Sequence, residues 1–237
     1  MIVPDGPRRG LAGFLCGIDV GSLRTPSYVA WLREGEFTLD MYVPSERRPL
    51  PAPPAGWPAV DCVALDAPQG LPTPGEKNRH CDRAAGTPTN SLPGSRPEMA
   101  ERRLYAGLVE AGVSIFWWVH TRGLGRIAGF SEVRDPPPVV CETYPRFVLR
   151  RLGLTEIPSK RKTPVAYVDA AWGLLRDLGY RCPSVVRPCD HQVDAMLCAV
   201  AAEAWHNASD PYQRTVGVPP IADVVERLIY EGYIVAP

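Results

Sequence analysis

Apolar residues come along the chain in short runs closed by glycine and proline, and their spacing alternates between strand-like and helix-like. Residues 13–20, GFLCGIDV, form an apolar run rich in β-forming residues that ends at Gly21-Ser22, the pattern of a buried central strand. SYVAWLR (27–33) and EFTLDMYV (36–43) are separated only by Glu34-Gly35, so they read as a hairpin, and the chain opens with three antiparallel strands in series. VDCVALD (60–66) is a fourth strand, ended by Ala67-Pro68, and VVCETYP (139–145) a fifth, stopped by Pro145. SIFWWVH (114–120) has the composition of a short extra strand.

Helical signals lie between and after these strands. Residues 97–111 put Leu104, Leu108 and Ala111 on one face behind Pro97, with Glu98 and Glu101 in the first turn. A short helix is expected over 145–152. A longer one runs from Pro164 to Leu178 with Gly179 as its stop. Another opens at Asp190 and runs to residue 206, with Val193, Leu197, Val200 and Ala201 giving its apolar side. A last helix is expected over 220–230, before the terminal GYIVAP. Strands in series followed by strands separated by helices predict an α/β chain with a mixed sheet. The 237 residues suit a single domain over 1–237, with the long polar stretch after the fourth strand as an insertion at 70–135.

Composition adds three constraints. Proline makes up 27 of the 237 residues, against a usual ~5%, and it concentrates in the connectors 44–58 and 68–97 that flank the fourth strand. These are stiff, extended connectors rather than disordered ones. Lys plus Arg equal Asp plus Glu at 26 each, so bulk positive charge cannot hold this chain on nucleic acid. Contact with nucleic acid would need a local basic patch or metal ions. The seven cysteines form no CxxC pair, and Cys16, Cys62 and Cys141 sit inside apolar runs, so buried free thiols and a cytoplasmic location are expected. His80-Cys81 and the set Cys182, Cys189 and His191 have poor spacing for zinc. No apolar run reaches the ~20 residues of a membrane span, so no membrane partner is expected.

The candidate chemistry lies in acids at element boundaries. Asp19 closes the first strand, Asp66 the fourth, and Glu142 sits near the end of the fifth. Asp190 and Asp194 are four apart at the start of a helix and project from one face. Sites in open α/β sheets form at the carboxyl ends of strands, and acids converging there repel each other unless a cation holds them. Hard oxygen donors select Mg²⁺ or Mn²⁺, and two such ions ~4 Å apart assist phosphodiester cleavage. Each acid alone also has a plain structural role open to it: Asp190 as an N-cap, Asp194 against the helix dipole, Asp19 and Asp66 in turns, Glu142 in an ion pair.

Taken together, GIDVG (17–21), ALDAPQGLP (64–72), RHCDR (79–83), CETYP (141–145), PSK (158–160), DHQVDAMLCAVAA (190–202) and EGYIVAP (231–237) resemble the family catalogued as domain of unknown function 429, predicted to be nucleases of the RNase H-like fold. The resemblance covers nearly the whole chain. It implies a three-layer RNase H-like α/β fold with helices on both faces of a mixed five-stranded sheet in the order 3-2-1-4-5, which sets Asp19 beside Asp66. It implies Asp19, Asp66, Asp190 and Asp194 as catalytic metal ligands, with Glu142 in an E-x-x-P element. The connector 44–58 is too proline-rich for the helix that usually precedes the fourth strand, leaving one face less covered or covered by the 70–135 insertion.

Arg79, Arg83 and Lys160 flank these motifs and are candidates for gripping a phosphate, although Arg79 can equally pair with Asp82 to order its loop. Trp117 and Trp118 suit core packing better than base stacking. The Gly123, Gly125 and Gly129 loop has the wrong spacing for a dinucleotide fingerprint. The leading expectation is a metal-dependent nuclease with a nucleic acid substrate. Two others stand beside it: an actin-like-superfamily nucleotide-binding protein, to whose first phosphate loop GIDVGS (17–22) also has a likeness, and a non-catalytic binding or assembly protein on the same fold.

Overall fold

β1 (Leu15–Asp19) is buried along its whole length. It runs between two helical layers, so both faces are apolar in the manner of central parallel strands. β2 (Ser27–Arg33) and β3 (Glu36–Tyr42) follow as an antiparallel hairpin whose two-residue turn, Glu34-Gly35, has positive φ at both positions. β4 (Cys62–Asp66) lies parallel to β1 on its other side, in a register that pairs Asp19 with Asp66. The computed structural model describes residues 13–87, 98, 105–130 and 138–237.

Beyond β4 the chain forms a short helix, α1 (His80–Ala85), and then α2 (Ala106–Arg122). The first turns of the helix expected over 97–111, with Pro97, Glu101 and Leu104, lie outside the described residues. SIFWWVH is not a strand but the second half of α2. Val109, Val113, Phe116 and Val119 are buried at helical spacing, so packing period overrides the strand propensity of a β-branched and aromatic run. β5 (Arg126–Ile127) and β6 (Val139–Thr143) come next, and β6 pairs in parallel with β4. α3 (Pro145–Arg151), α4 (Pro164–Asp177) and α5 (Asp190–Asn207) follow, each opening near the expected residue.

The C-terminal segment corrects the expected last helix. Residues 220–230 belong instead to an antiparallel hairpin of β7 (Thr215–Asp223) and β8 (Leu228–Val235). Pro219 and Pro220 sit at a register shift in β7, tolerated because β7 is an edge strand. β8 is a nearly continuous buried run. The sheet therefore has eight strands rather than five, ordered β3-β2-β1-β4-β6-β8-β7 with β5 also on β6. The five expected strands are the run β3-β2-β1-β4-β6, and β8 and β7 extend it past its supposed edge.

Two apolar layers cover this sheet. On one face α3, α4 and α5 pack over Leu15, Ala30, Cys62, Ala64 and Cys141. On the other, Ala111, Ile115, Phe116 and Val119 of α2 pack over Cys16, Ile18, Val63, Leu65 and Val140, with Leu50, Trp57 and Val60 of the proline-rich connector beside them. The insertion thus supplies the cover that the connector cannot. α5 lies so close to β1 that a Cβ on Gly17 would sit 2.1 Å from both Ala195 O and Ala199 N. Six cysteines are buried free thiols, and Cys189 is exposed. No helix among the described residues is long and apolar enough to cross a membrane.

Candidate metal centre

Strand alternation sends every second residue of β1 and β4 toward α5, and Asp19 and Asp66 are the last of those positions on each. They are adjacent, parallel and in register, so their carboxylates emerge side by side at the carboxyl edge of the sheet. α5 brings the third acid. Asp194 lies one turn into the helix, and the close approach at Gly17 sets that turn against β1. The oxygens of Asp19, Asp66 and Asp194 come within 4.8 Å of one another.

Three neighbours orient these acids. The Tyr167 hydroxyl donates to Asp194 Oδ1, and Lys160 Nζ donates to Asp194 Oδ2. His191 Nδ1 lies 2.6 Å from Asp19 Oδ2, and its ring stacks on Tyr28 with centroids 5.1 Å apart. Burial, then the charges of Asp19 and Asp194, raises Asp66 well above the usual carboxylate range. Asp194 is pushed up to about 6 by burial and Asp19, against the pull of Lys160 and Tyr167. Burial alone would lower Lys160, but Asp194, Asp19 and Asp190 outweigh it and hold the ammonium above its ordinary value. The hydrogen bond to Asp19 raises His191.

A cavity of 270 Å³ opens onto this cluster, with Asp66, Asp194, Lys160 and Tyr167 at one end and Tyr144 and Arg146 along its wall. Carboxylates crowded at the end of such a cavity are a set of hard oxygen donors whose mutual repulsion a divalent cation relieves. Such donors suit a hard cation better than a soft metal.

The other expected site residues stand outside the three-acid group, although Glu142 and Arg79 line the same cavity. Asp190 stays outside the three-acid group and turns to Lys160, 3.8 Å away. Glu142 is one position out of phase: it registers with Leu65, not Asp66, and the pleat assigns it to the opposite face. Its carboxylate accepts Arg79 Nη1 at 2.6 Å, Arg79 Nη2 at 2.7 Å and the Gln69 amide at 2.6 Å. Arg79 is itself only 1% exposed, and its Nε and Nη2 also reach Asp82, so its fork is filled by protein carboxylates rather than open to a phosphate. Arg83 is half exposed, 3.7 Å from Glu76. Arg79 and Lys160 both line the cavity, and of the three basic candidates Lys160 is the one whose ammonium contacts an acid of the cluster, Asp194.

His191 and Tyr167 were not legible as site residues from the sequence. His191 directly follows Asp190, which is a signal of sorts, but Tyr167 lies on α4, a different helix, and nothing local marks it.

The family model described as "Protein of unknown function (DUF429)" matches residues 17–219, a span that contains Asp19, Asp66, Lys160 and Asp194. No curated protein and no solved structure matches the chain.

Proposed function

Since the chain belongs to the DUF429 family, we propose that it is a divalent-metal-dependent nuclease built on an RNase H-like fold. The observation that carries this reading is the convergence of Asp19, Asp66 and Asp194 at the carboxyl ends of adjacent parallel strands and one helix. The strand run β3-β2-β1-β4-β6 and the strand-end placement of the acids agree with what the resemblance implies for that fold.

Asp19, Asp66 and Asp194 are the residues that would hold the ion. A bound Mg²⁺ or Mn²⁺ supplies water activation and charge stabilisation for phosphodiester hydrolysis. The chain's own groups do the rest. His191 and Tyr28 steady Asp19, and Tyr167 steadies Asp194, so two carboxylates keep one orientation. The cavity admits the phosphodiester from the side of Asp66 and Asp194, where Lys160 offers a charged donor to a phosphate oxygen. The zero net charge of the chain fits a substrate recognised at this centre rather than along a basic surface.

The test is cleavage of single- and double-stranded DNA and RNA by the purified protein with Mn²⁺, with and without chelator. Cleavage should need the metal and disappear in Asp66→Asn and Asp19→Asn proteins whose folds are intact by circular dichroism. Cutting that survives both substitutions overturns the assignment.

A further inference from the structure

The acidic centre already contains a positive charge. Lys160 Nζ lies 2.5 Å from Asp194 Oδ2, 3.8 Å from Asp190 Oδ2 and 3.5 Å from His191 Nδ1. The segment carrying it is braced. Arg146 Nη1 donates to the Pro158 carbonyl at 3.0 Å and Nη2 to the Ile157 carbonyl at 3.2 Å, while the Thr163 hydroxyl and amide both donate to the Ser159 carbonyl. The backbone that carries Lys160 is therefore held in place by the fold.

A pair of ions ~4 Å apart needs carboxylates on both; among the described residues Asp19, Asp66 and Asp194 converge, and the place a second ion would take against Asp194 already holds the Lys160 ammonium. Asp190, the fourth acid of the motif, faces Lys160 instead. Lys160, Asp66 and Asp194 line the cavity, while Asp19 approaches the cluster from outside that lining.

We propose that Lys160 is a built-in second cation: the centre takes one divalent ion, on Asp19, Asp66 and Asp194, and the ammonium provides on the cavity side the positive charge a second ion would bring. This rests on the metal-dependent reading above and adds its stoichiometry. An ammonium has three donors. Asp194 is its close partner, while His191 Nδ1 at 3.5 Å and Asp190 Oδ2 at 3.8 Å are looser ones that a non-bridging phosphate oxygen entering the cavity would replace. The ammonium stabilises charge on that oxygen and has no coordination site for water, so water activation falls to the side of Asp19 and Asp66. A phosphate entering the cavity is held from two sides by charges of the same sign, as in a two-ion clamp.

Mn²⁺ titration by calorimetry, with electron paramagnetic resonance to detect spin-coupled pairs, counts the ions. The wild-type chain should bind one Mn²⁺ with no coupled pair. Lys160→Met keeps the stem and removes the charge, so Asp190 and Asp194 lose their cation and a second, spin-coupled ion should bind; Lys160→Arg should stay at one. Should Lys160→Met fail to fold by circular dichroism, Lys160→Gln replaces it. Two ions in the wild type, or a single ion in the charge-deleted protein, overturns the proposal while leaving the metal-dependent reading intact. A wild-type chain that binds no Mn²⁺ overturns that reading and this one with it.

Discussion

Arg79 grips Glu142 through two parallel hydrogen bonds, Nη1 to Oε2 at 2.6 Å and Nη2 to Oε1 at 2.7 Å, with both side chains out of water. The same guanidinium reaches Asp82 with Nε and Nη2, each at 2.9 Å. Glu142 also accepts the Gln69 amide, three residues past Asp66, so the pair ties the loop leaving β4 to β6 and α1. Breaking such a buried pair from one side leaves an uncompensated charge. Glu142→Ala should lower stability by about 3–5 kcal/mol, read as a fall in denaturation midpoint. Asp66→Asn, which keeps this network, should fold normally. A Glu142→Ala protein as stable as wild type would show that the clamp is not structural.

Gly17 is where α5 touches β1. Any side chain there must displace the backbone of Ala195 or Ala199. Gly17→Ala should cost about 3 kcal/mol or more, at the upper end of overpacking effects. Because the displaced helix carries Asp194, the variant should also bind Mn²⁺ more weakly than its remaining folded fraction accounts for. Thermal melts with and without Mn²⁺ measure both effects.

The acids of the centre give a pH dependence whose sign can be worked out. Asp66 is raised and Asp194 is pushed up to about 6, chiefly by burial. A carboxyl raised in the folded state keeps a proton that the unfolded chain has released. Its contribution therefore destabilises the metal-free fold as pH rises from the ordinary carboxylate range, ~3.9, through about 6. Asp66→Asn removes one such group, so its melting temperature relative to wild type should climb as pH rises above the ordinary carboxylate range. Metal binding competes with the same protons, so Mn²⁺ affinity should rise over about pH 5 to 7. Calorimetry across that range checks it, and a flat profile would count against these ligands.

Glu231 caps α1 from a distant strand. It is 2% exposed, adopts φ +59, and accepts the His80 amide at 2.9 Å and the Thr73 hydroxyl at 3.2 Å. Burial alone would raise it, but the hydrogen bonds from His80 and Thr73 prevail and hold it below the usual range. Its stabilisation is full above the unfolded value, ~4.3, and is lost as pH falls through the lower folded value. Glu231→Ala should cost about 2 kcal/mol at neutral pH and little at strongly acidic pH. Chemical denaturation at the two pH values distinguishes this from a pH-independent loss.

The sequence by itself determined the opening hairpin, the strands that end in Asp19 and Asp66, and the helices starting at Pro145, Pro164 and Asp190. Those elements announce themselves locally, through apolar period, a two-residue turn and proline at the first helical position. It also singled out the acids, because carboxylates at strand ends are visible without a fold. Only the tertiary structure decided which acids meet. Register put Asp19 level with Asp66 and Glu142 level with Leu65, and a one-residue difference in phase sends a side chain to the other face. Long-range packing made SIFWWVH a helix on the second face and turned 220–230 into the end of edge strand β7, a turn and the start of the buried β8, since burial partners rather than propensity chose those states. Arg79 and Lys160 looked alike as basic residues beside motifs. What separates them is that the fold surrounds Arg79 with two carboxylates out of water and leaves Lys160 at the cavity end, facing the acids.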